Sequence, residues 1–279
     1  LDPIPGQYDF IVARYNADGS PDDTFGSDGW VQTNFTESDT CVGLAVQPDG
    51  KIIAIGDTMG TSFSDFALAR YKPDGSLDGT FGVGGLVMVV LGGREHARAV
   101  ALQPDGKILV AGDDNNQDFA LARYDSDGSL DRRFGVNGLV LTDFFGGYDN
   151  AFAALLQPDG KIVVGGSARS ASGEDDFALA RYNPDGSLDV SFGVNGKVVT
   201  DLLYNDYGGS LALYSDGRIA LAGQASSDTW KIALVVYNPD GSLDTGFDSD
   251  GIVMTDLDWQ NFATGVAWQA DGKLLVAGS

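Results

Sequence analysis

A seven-residue segment, DFALARY, occurs unchanged three times in this chain, at 65–71, 118–124 and 176–182. Looser copies stand at 9–15 (DFIVARY) and 231–237 (KIALVVY), so the closing tyrosine recurs as Tyr15, Tyr71, Tyr124, Tyr182 and Tyr237. A second segment interleaves with the first. It reads QPDGKIIAIG at 47–56, QPDGKILVAG at 103–112 and QPDGKIVVGG at 157–166, with YSDGRIALAG at 214–223 and QADGKLLVAG at 269–278. There are thus five copies of each segment in 279 residues. Self-similarity at such a spacing demands a repeat architecture, in which each unit buries its apolar surface against the next.

One repeat parses into four strands. Strand a lies at 97–102 and is followed by the turn Pro104-Asp105-Gly106, in which Pro presets φ and Gly takes the positive-φ position. Strand b spans 107–111, strand c 119–124 and strand d 139–142. The connection 125–138 predicts one helical turn, with Ser129 as N-cap, Asp131 at its positive end and Gly135 as a left-handed exit. Ser20, Ser76, Ser187 and Ser242 are the equivalents of Ser129, and Phe25, Phe81, Phe134, Phe192 and Phe247 are placed to fill gaps between repeats. Strands b and c are apolar at nearly every residue, as in sheets covered on both faces. The expectation is an all-β, five-bladed β-propeller with four antiparallel strands per blade. The chain opens on strands c and d (1–34) and ends on a and b (261–279). A single domain, 1–279, closed by N- and C-terminal strands sharing one blade follows, which would remove exposed sheet edges.

The motif DFALARYNPDGSLDxxFGxxGxVxTD followed by QPDGKILVAG resembles the delta-60 repeat family, tandem repeats of large bacterial surface or secreted proteins. The resemblance covers essentially the whole chain. It implies a propeller and an extracellular or cell-surface setting, and it carries no catalytic residues. The fifth repeat departs from it, with Lys231 for Asp, Val236 for Arg and Asp248 for Gly.

Net charge is −23, from 17 basic and 40 acidic residues. A field of that sign repels nucleic acid and anionic membrane surfaces. No apolar run approaches the ~20 residues of a membrane helix. The chain begins at Leu1 with no Met and no secretory apolar core, as a mature or excised segment would. Cys41 is the single cysteine and His96 the single histidine, which excludes an internal disulfide and multi-His or Cys-based metal sites. Asn34-Phe35-Thr36 is a glycosylation sequon, meaningful only in a eukaryotic secretory pathway. P-loop, GxSxG, HExxH and GxGxxG fingerprints are absent.

In a propeller the a–b and c–d connections lie on one face and the b–c and d–a connections on the other. The first pair is nearly uniform among repeats, whereas b–c and d–a loops vary in length and content, so recognition is expected on the varied face. Aromatics there are Phe63, Phe144, Phe145, Tyr148, Tyr204, Tyr207, Trp230 and Trp259. Beside Asp and Asn they suit a glycan or protein partner, although aromatics also fill gaps between blades. Eight residues before the Gln of each QPDG-type turn stand Asp39, Glu95, Asp149, Asp206 and Asn261. They form either a ring at the channel mouth, able to hold a cation or serve as acid and base, or caps of their own d–a turns. Their recurrence in every repeat favours caps. Asp125, Asp127 and Asp131 resemble the start of an EF-hand loop and offer oxygens to calcium, but Val136 stands where the bidentate Glu belongs, which favours an Asx-type turn. The couples Asp9/Arg14, Asp65/Arg70, Asp118/Arg123 and Asp176/Arg181 are lost together in the fifth repeat, as in one structural ion-pair network. His96 reads as a solvated polar residue.

The function expected is a non-catalytic binding or display module of a secreted or cell-surface bacterial protein, recognising a glycan or protein at the cell envelope. The alternatives are a glycoside-active enzyme using the junction carboxylates, and a structural or filament subunit.

Overall fold

The computed structural model describes residues 8–59, 64–89, 94–114, 116–227, 229–257 and 261–279. Every helix or strand element among them is a β-strand. Four sheets have four antiparallel strands each, paired in chain order. They are β3 (Ser38–Val46), β4 (Ile52–Met59), β5 (Ser64–Tyr71) and β6 (Leu86–Val89); β7 (His96–Leu102), β8 (Ile108–Asp113), β9 (Phe119–Tyr124) and β10 (Leu139–Thr142); β11 (Asp149–Leu156), β12 (Ile162–Arg169), β13 (Asp175–Tyr182) and β14 (Lys197–Thr200); and β15 (Asp206–Leu213), β16 (Ile219–Ser226), β17 (Trp230–Tyr237) and β18 (Ile252–Thr255). These are the a, b, c and d strands that the repeat predicts. Two further sheets have two strands each: β1 (Phe10–Ala13) with β2 (Trp30–Thr33), and β19 (Ala263–Trp268) with β20 (Leu274–Gly278). They supply one c–d pair and one a–b pair. The described ladders keep them as separate sheets, so the pairing expected between the last strand and the first is not among them. The chain divides into two compact parts, Leu1–Asn115 with Leu121–Arg132, and Asn116–Ala120 with Arg133–Ser279.

Strands β8 and β9 are buried at every residue, their apolar runs together with the charged Asp113 and Arg123. Between β12–β14 and β15–β17 the core is formed by Val163, Phe177, Leu179, Phe192, Ile219, Leu221, Val235 and Tyr237. Each a–b ladder slips register once, for example between Ala151 and Ala153. Such a bulge brings the backbones close, and a Cβ on Gly166 would lie 1.8 Å from the Asn150 carbonyl oxygen. That approach explains the glycine closing each QPDGKIxxxG segment.

The c–d connection forms two successive turns in place of the predicted helical turn. Ser129 donates its N–H and its hydroxyl to Asp127 Oδ1, at 2.9 and 2.7 Å, and so serves an Asx turn rather than a cap. A bridge from Leu130 back to Tyr124 then holds the backbone extended. Gly135 does take the left-handed conformation (φ 50°).

Successive repeats are stitched by the same bonds. The Gly26, Gly82, Gly135 and Gly193 amides donate to the carbonyls of Asp74, Asp127, Asp185 and Asp240 in the following repeat, at 2.7–2.8 Å. Tyr71 donates to Thr33 at 2.7 Å, and the hydroxyls of Tyr182 and Tyr237 meet Thr142 and Thr200 at 2.8 Å. Phe25, Phe81, Phe134 and Phe192 are fully buried beneath these turns, while Phe247 is half-buried. The arginines of strand c pair differently from the sequence expectation. Arg181 Nε lies 2.8 Å from Asp189 in the c–d turn, its guanidinium covers the Phe192 ring at 4.4 Å, and it donates to the Pro239 carbonyl of the next repeat. Arg14 and Arg70 likewise pair with Asp22 and Asp78, and Arg123 with Asp131. The acid at the head of strand c is too far along the strand to share this network. In the fifth repeat Val236 replaces the arginine, and Arg218 reaches Asp244 at 3.0 Å from the a–b turn.

Candidate functional site

The third and fourth d–a connections each bring three positions together: the head of strand c, the residue after strand d, and the head of the next strand a. At the third junction they are Asp118, Asp143 and Asp149, and at the fourth Asp176, Asp201 and Asp206. Within each trio, one carboxylate oxygen from every member lies within 4.8 Å of the others. Asp149 and Asp206 have no exposed surface, whereas Asp143 and Asp201 are exposed. The buried acids cap their turns: Asp149 Oδ2 accepts the Phe144 N–H at 2.7 Å, and Asp206 Oδ2 accepts those of Leu202 and Leu203 at 2.8 and 3.2 Å. Their second oxygens, Asp149 Oδ1 and Asp206 Oδ1, are buried without a hydrogen bond. Burial pushes Asp149 up to about 7, with the charges of Asp143 and Asp118 adding to it and the Phe144 and Arg169 backbone amides opposing. Burial, then the neighbouring Asp201 and Asp206, raises Asp176 to about 6, and burial raises Asp206 to about 6.

The first junction is completed internally. Asn34 and Gln32 donate to the two oxygens of Asp9, while Asp39 accepts the Phe35 N–H at 2.7 Å and the Thr58 hydroxyl at 2.5 Å. Thr58 faces Asp39 across the ladder; alanines, Ala168 and Ala225, face Asp149 and Asp206. The second junction has Asp65 and Glu95, with Val90 in the middle position outside the described residues. Glu95 is fully buried and its amide donates to the Ser64 carbonyl at 2.9 Å. At the fifth junction Lys231 lies 3.7 Å from Asp256, and the Asn261 amide donates to the Trp230 carbonyl at 3.0 Å. The heads of strand a are thus turn-capping residues at Asp39, Asp149 and Asp206, and two of them are drawn into clusters with acids of the preceding repeat. The sequence signal was present in the Thr-Asp dipeptides at 142–143 and 200–201, whose aspartates the repeat motif contains without a role of their own.

Asp125, Asp127 and Asp131 are not among the carboxylate clusters of the described residues. Asp125 pairs with Lys107, Asp127 holds Ser129, and Asp131 lies between Arg123 and Lys107, at 2.8 and 3.1 Å. Cationic side chains occupy the space beside the Asp125 and Asp131 oxygens. His96 is no isolated solvated residue: its Nδ1 lies 3.1 Å from Asp57, and that hydrogen bond raises its pKa.

The aromatics divide into two groups. Phe144 is buried edge-on against Phe119, and Tyr207 packs on Trp230, so the gap-filling reading holds there. Phe145, Tyr148 and Tyr204 are at least half exposed. Arg169 links the groups, lying over the Tyr148 ring at 5.0 Å and pairing with Asp175, which also accepts the Tyr207 hydroxyl at 2.9 Å. A polar–aromatic strip therefore runs through the b–c and d–a loops of 144–148, 169–175 and 204–207. Beside it a groove of about 790 Å³, lined by Phe145, Val194, Lys197 and Ser242 among others, follows the outer strand β14. Phe63 and Trp259 lie outside the described residues.

A family profile described as "Domain of unknown function (DUF5122) beta-propeller" matches residues 4–25, 47–81, 103–134, 157–192 and 215–247, more than half of the chain. Comparison with curated proteins finds no match. Among solved structures, a protein of unknown function from Dyadobacter fermentans aligns with a TM-score of 0.52 at 11% identity, over 99% of this chain and 80% of its own. A glucose dehydrogenase aligns with a TM-score of 0.50 at 12% identity, over 86% and 80%. A putative gluconolactonase aligns with a TM-score of 0.45 at 14% identity, over 86% and 72%. At these identities the likeness is one of fold.

Proposed function

Since this chain belongs to the DUF5122 β-propeller family, a scaffold whose name assigns no reaction, we propose that it is a binding or display module of the bacterial cell envelope. It takes a glycan or protein partner through its b–c and d–a loops. The observation that carries this reading is the strip Tyr148–Arg169–Asp175–Tyr207. It sets the half-exposed Tyr148 ring beside charged groups already fixed in place by ion pairing and hydrogen bonding. Rigid aromatic surface next to oriented polar groups is the chemistry that sugar rings and protein partners recognise. Glycoside hydrolysis has less support. It needs two carboxyls free to act as acid and base, and Asp39, Asp149 and Asp206 each commit an oxygen to a backbone cap.

Glycan-array and envelope pull-down measurements test the reading. Tyr148→Ala and Tyr204→Ala should each weaken capture by tenfold or more, corresponding to ~1.4 kcal/mol or above. Capture that survives both changes, or cleavage of an arrayed glycan, would favour the other readings.

A further inference from the structure

We propose that the third and fourth d–a junctions each bind one divalent cation of the calcium class, through carboxylate oxygens of Asp118, Asp143 and Asp149 and of Asp176, Asp201 and Asp206. The proposal stands apart from the partner-binding reading, because it concerns buried acids rather than the exposed strip.

Distance is the first argument. Oxygens that share one calcium ion at ~2.4 Å are at most ~4.8 Å apart, and both trios meet that limit. The donor set is oxygen only, which suits a hard cation, with water filling the remaining positions. Asp143 and Asp201 are exposed and give an entry path.

Orphaned buried oxygens are the second argument. Asp149 Oδ1 and Asp206 Oδ1 have no hydrogen bond, inside groups with no exposed surface. A buried carboxylate oxygen without a partner is costly unless a cation or a proton completes it.

The chain's own repeats give the third and strongest argument. Where the middle residue is Asn34, its amide donates to Asp9, and Thr58 donates to the oxygen of Asp39 that the turn leaves over. In the two trios both donors are missing together: the amide has become Asp143 or Asp201, and the hydroxyl has become Ala168 or Ala225. Each trio therefore gains an acid just where it loses its donors. The fifth junction solves the same problem with a built-in cation. There Lys231 replaces the acid at the head of strand c, Asn261 replaces the buried one, and the lysine lies 3.7 Å from Asp256. One fold position thus holds an amide network, an ammonium group, or a cluster of three carboxylates.

Calcium titration of the chelator-treated chain by calorimetry, in ~150 mM NaCl to screen the diffuse negative field, tests the assignment. Two equivalents should bind, with Kd near the ~10⁻⁴–10⁻³ M of extracellular calcium modules. The exposed-site variant Asp143→Asn should bind one equivalent, and Asp143→Asn/Asp201→Asn none, with an unchanged circular dichroism spectrum. A second variant, Asp176→Lys/Asp206→Asn, writes the fifth junction into the fourth. It should lose one equivalent and melt above the parent in chelator. Absence of binding by the parent up to ~10 mM calcium, beyond the range of such modules, or two equivalents retained by Asp143→Asn/Asp201→Asn, would overturn the proposal.

Discussion

Arg181 joins two repeats with one side chain. It pairs with Asp189, covers Phe192 and holds the Pro239 carbonyl of the next repeat, while almost wholly buried. Removing it leaves Asp189 paired with Lys161 alone, at 2.9 Å, and deprives the Pro239 carbonyl of its donor, so Arg181→Ala should lower stability to urea by ~1–3 kcal/mol. The fifth repeat shows the compensation: Lys161→Arg added to Arg181→Val should recover part of the loss, because Arg218 serves Asp244 from the equivalent position. Asp149, Asp176 and Asp206 act in the opposite sense. Their folded pKa values stand above the ordinary carboxylate value, so their contribution is fullest below that value and is lost as pH rises through about 6 to 7. His96, raised by Asp57, adds a loss of the same sign. Asp78 and Asp189, lowered by hydrogen bonds and their ion pairs against the pull of burial, lose stability only in stronger acid. The calcium-free chain should therefore melt lower at about pH 8 than at about pH 5. Asp149→Asn/Asp206→Asn should flatten most of that slope in a pH series of melting curves.

The strands were legible because each has a local cause. Pro-Asp-Gly turns, unbroken apolar runs and the closing tyrosine fix where a blade's chain must reverse, and strands β9 and β10 fall on the residues expected of them. The bulge of the a–b ladder was not legible, since it depends on two backbones meeting rather than on one segment's preference. Its trace in the sequence is the glycine of QPDGKIxxxG. Gly166→Ala should destabilise by ~3 kcal/mol or more by driving a methyl into the Asn150 carbonyl. Gly79→Ala, with no atom within 4 Å of its added methyl, should stay within ~0.5 kcal/mol in the same unfolding assay. The helical turn predicted at Ser129 failed for a related reason. Asp127 satisfies the serine's amide and hydroxyl at once, and the bridge to Tyr124 leaves no residues to wind. The acid trios draw on three segments from two repeats. A reading that compared one motif at a time placed Asp149 and Asp206 at the junctions, gave Asp118 and Asp176 to an arginine network instead, and left out Asp143 and Asp201.

Across the whole molecule a net charge of −23 repels itself. Melting temperature should rise between ~10 and ~150 mM NaCl as the Debye length shrinks from about 30 to 8 Å. Calcium at matched ionic strength should raise it further only if discrete sites exist, which separates screening from binding. The stitches between repeats have another consequence. Each runs in one direction, with a glycine amide meeting a turn carbonyl of the successor, and at three of the four described joints a threonine hydroxyl also meets the successor's tyrosine; at the other, Val89 takes the threonine's place and the Tyr124 hydroxyl is left without that bond. Such a junction is head-to-tail and has no self-complementary end point. A two-repeat fragment would keep one empty socket and one spare plug, and copies of it should concatenate into strings rather than settle as dimers. An inner repeat of the chain has its socket and its plug filled by its neighbours in sequence, and a fragment can fill them only with another copy.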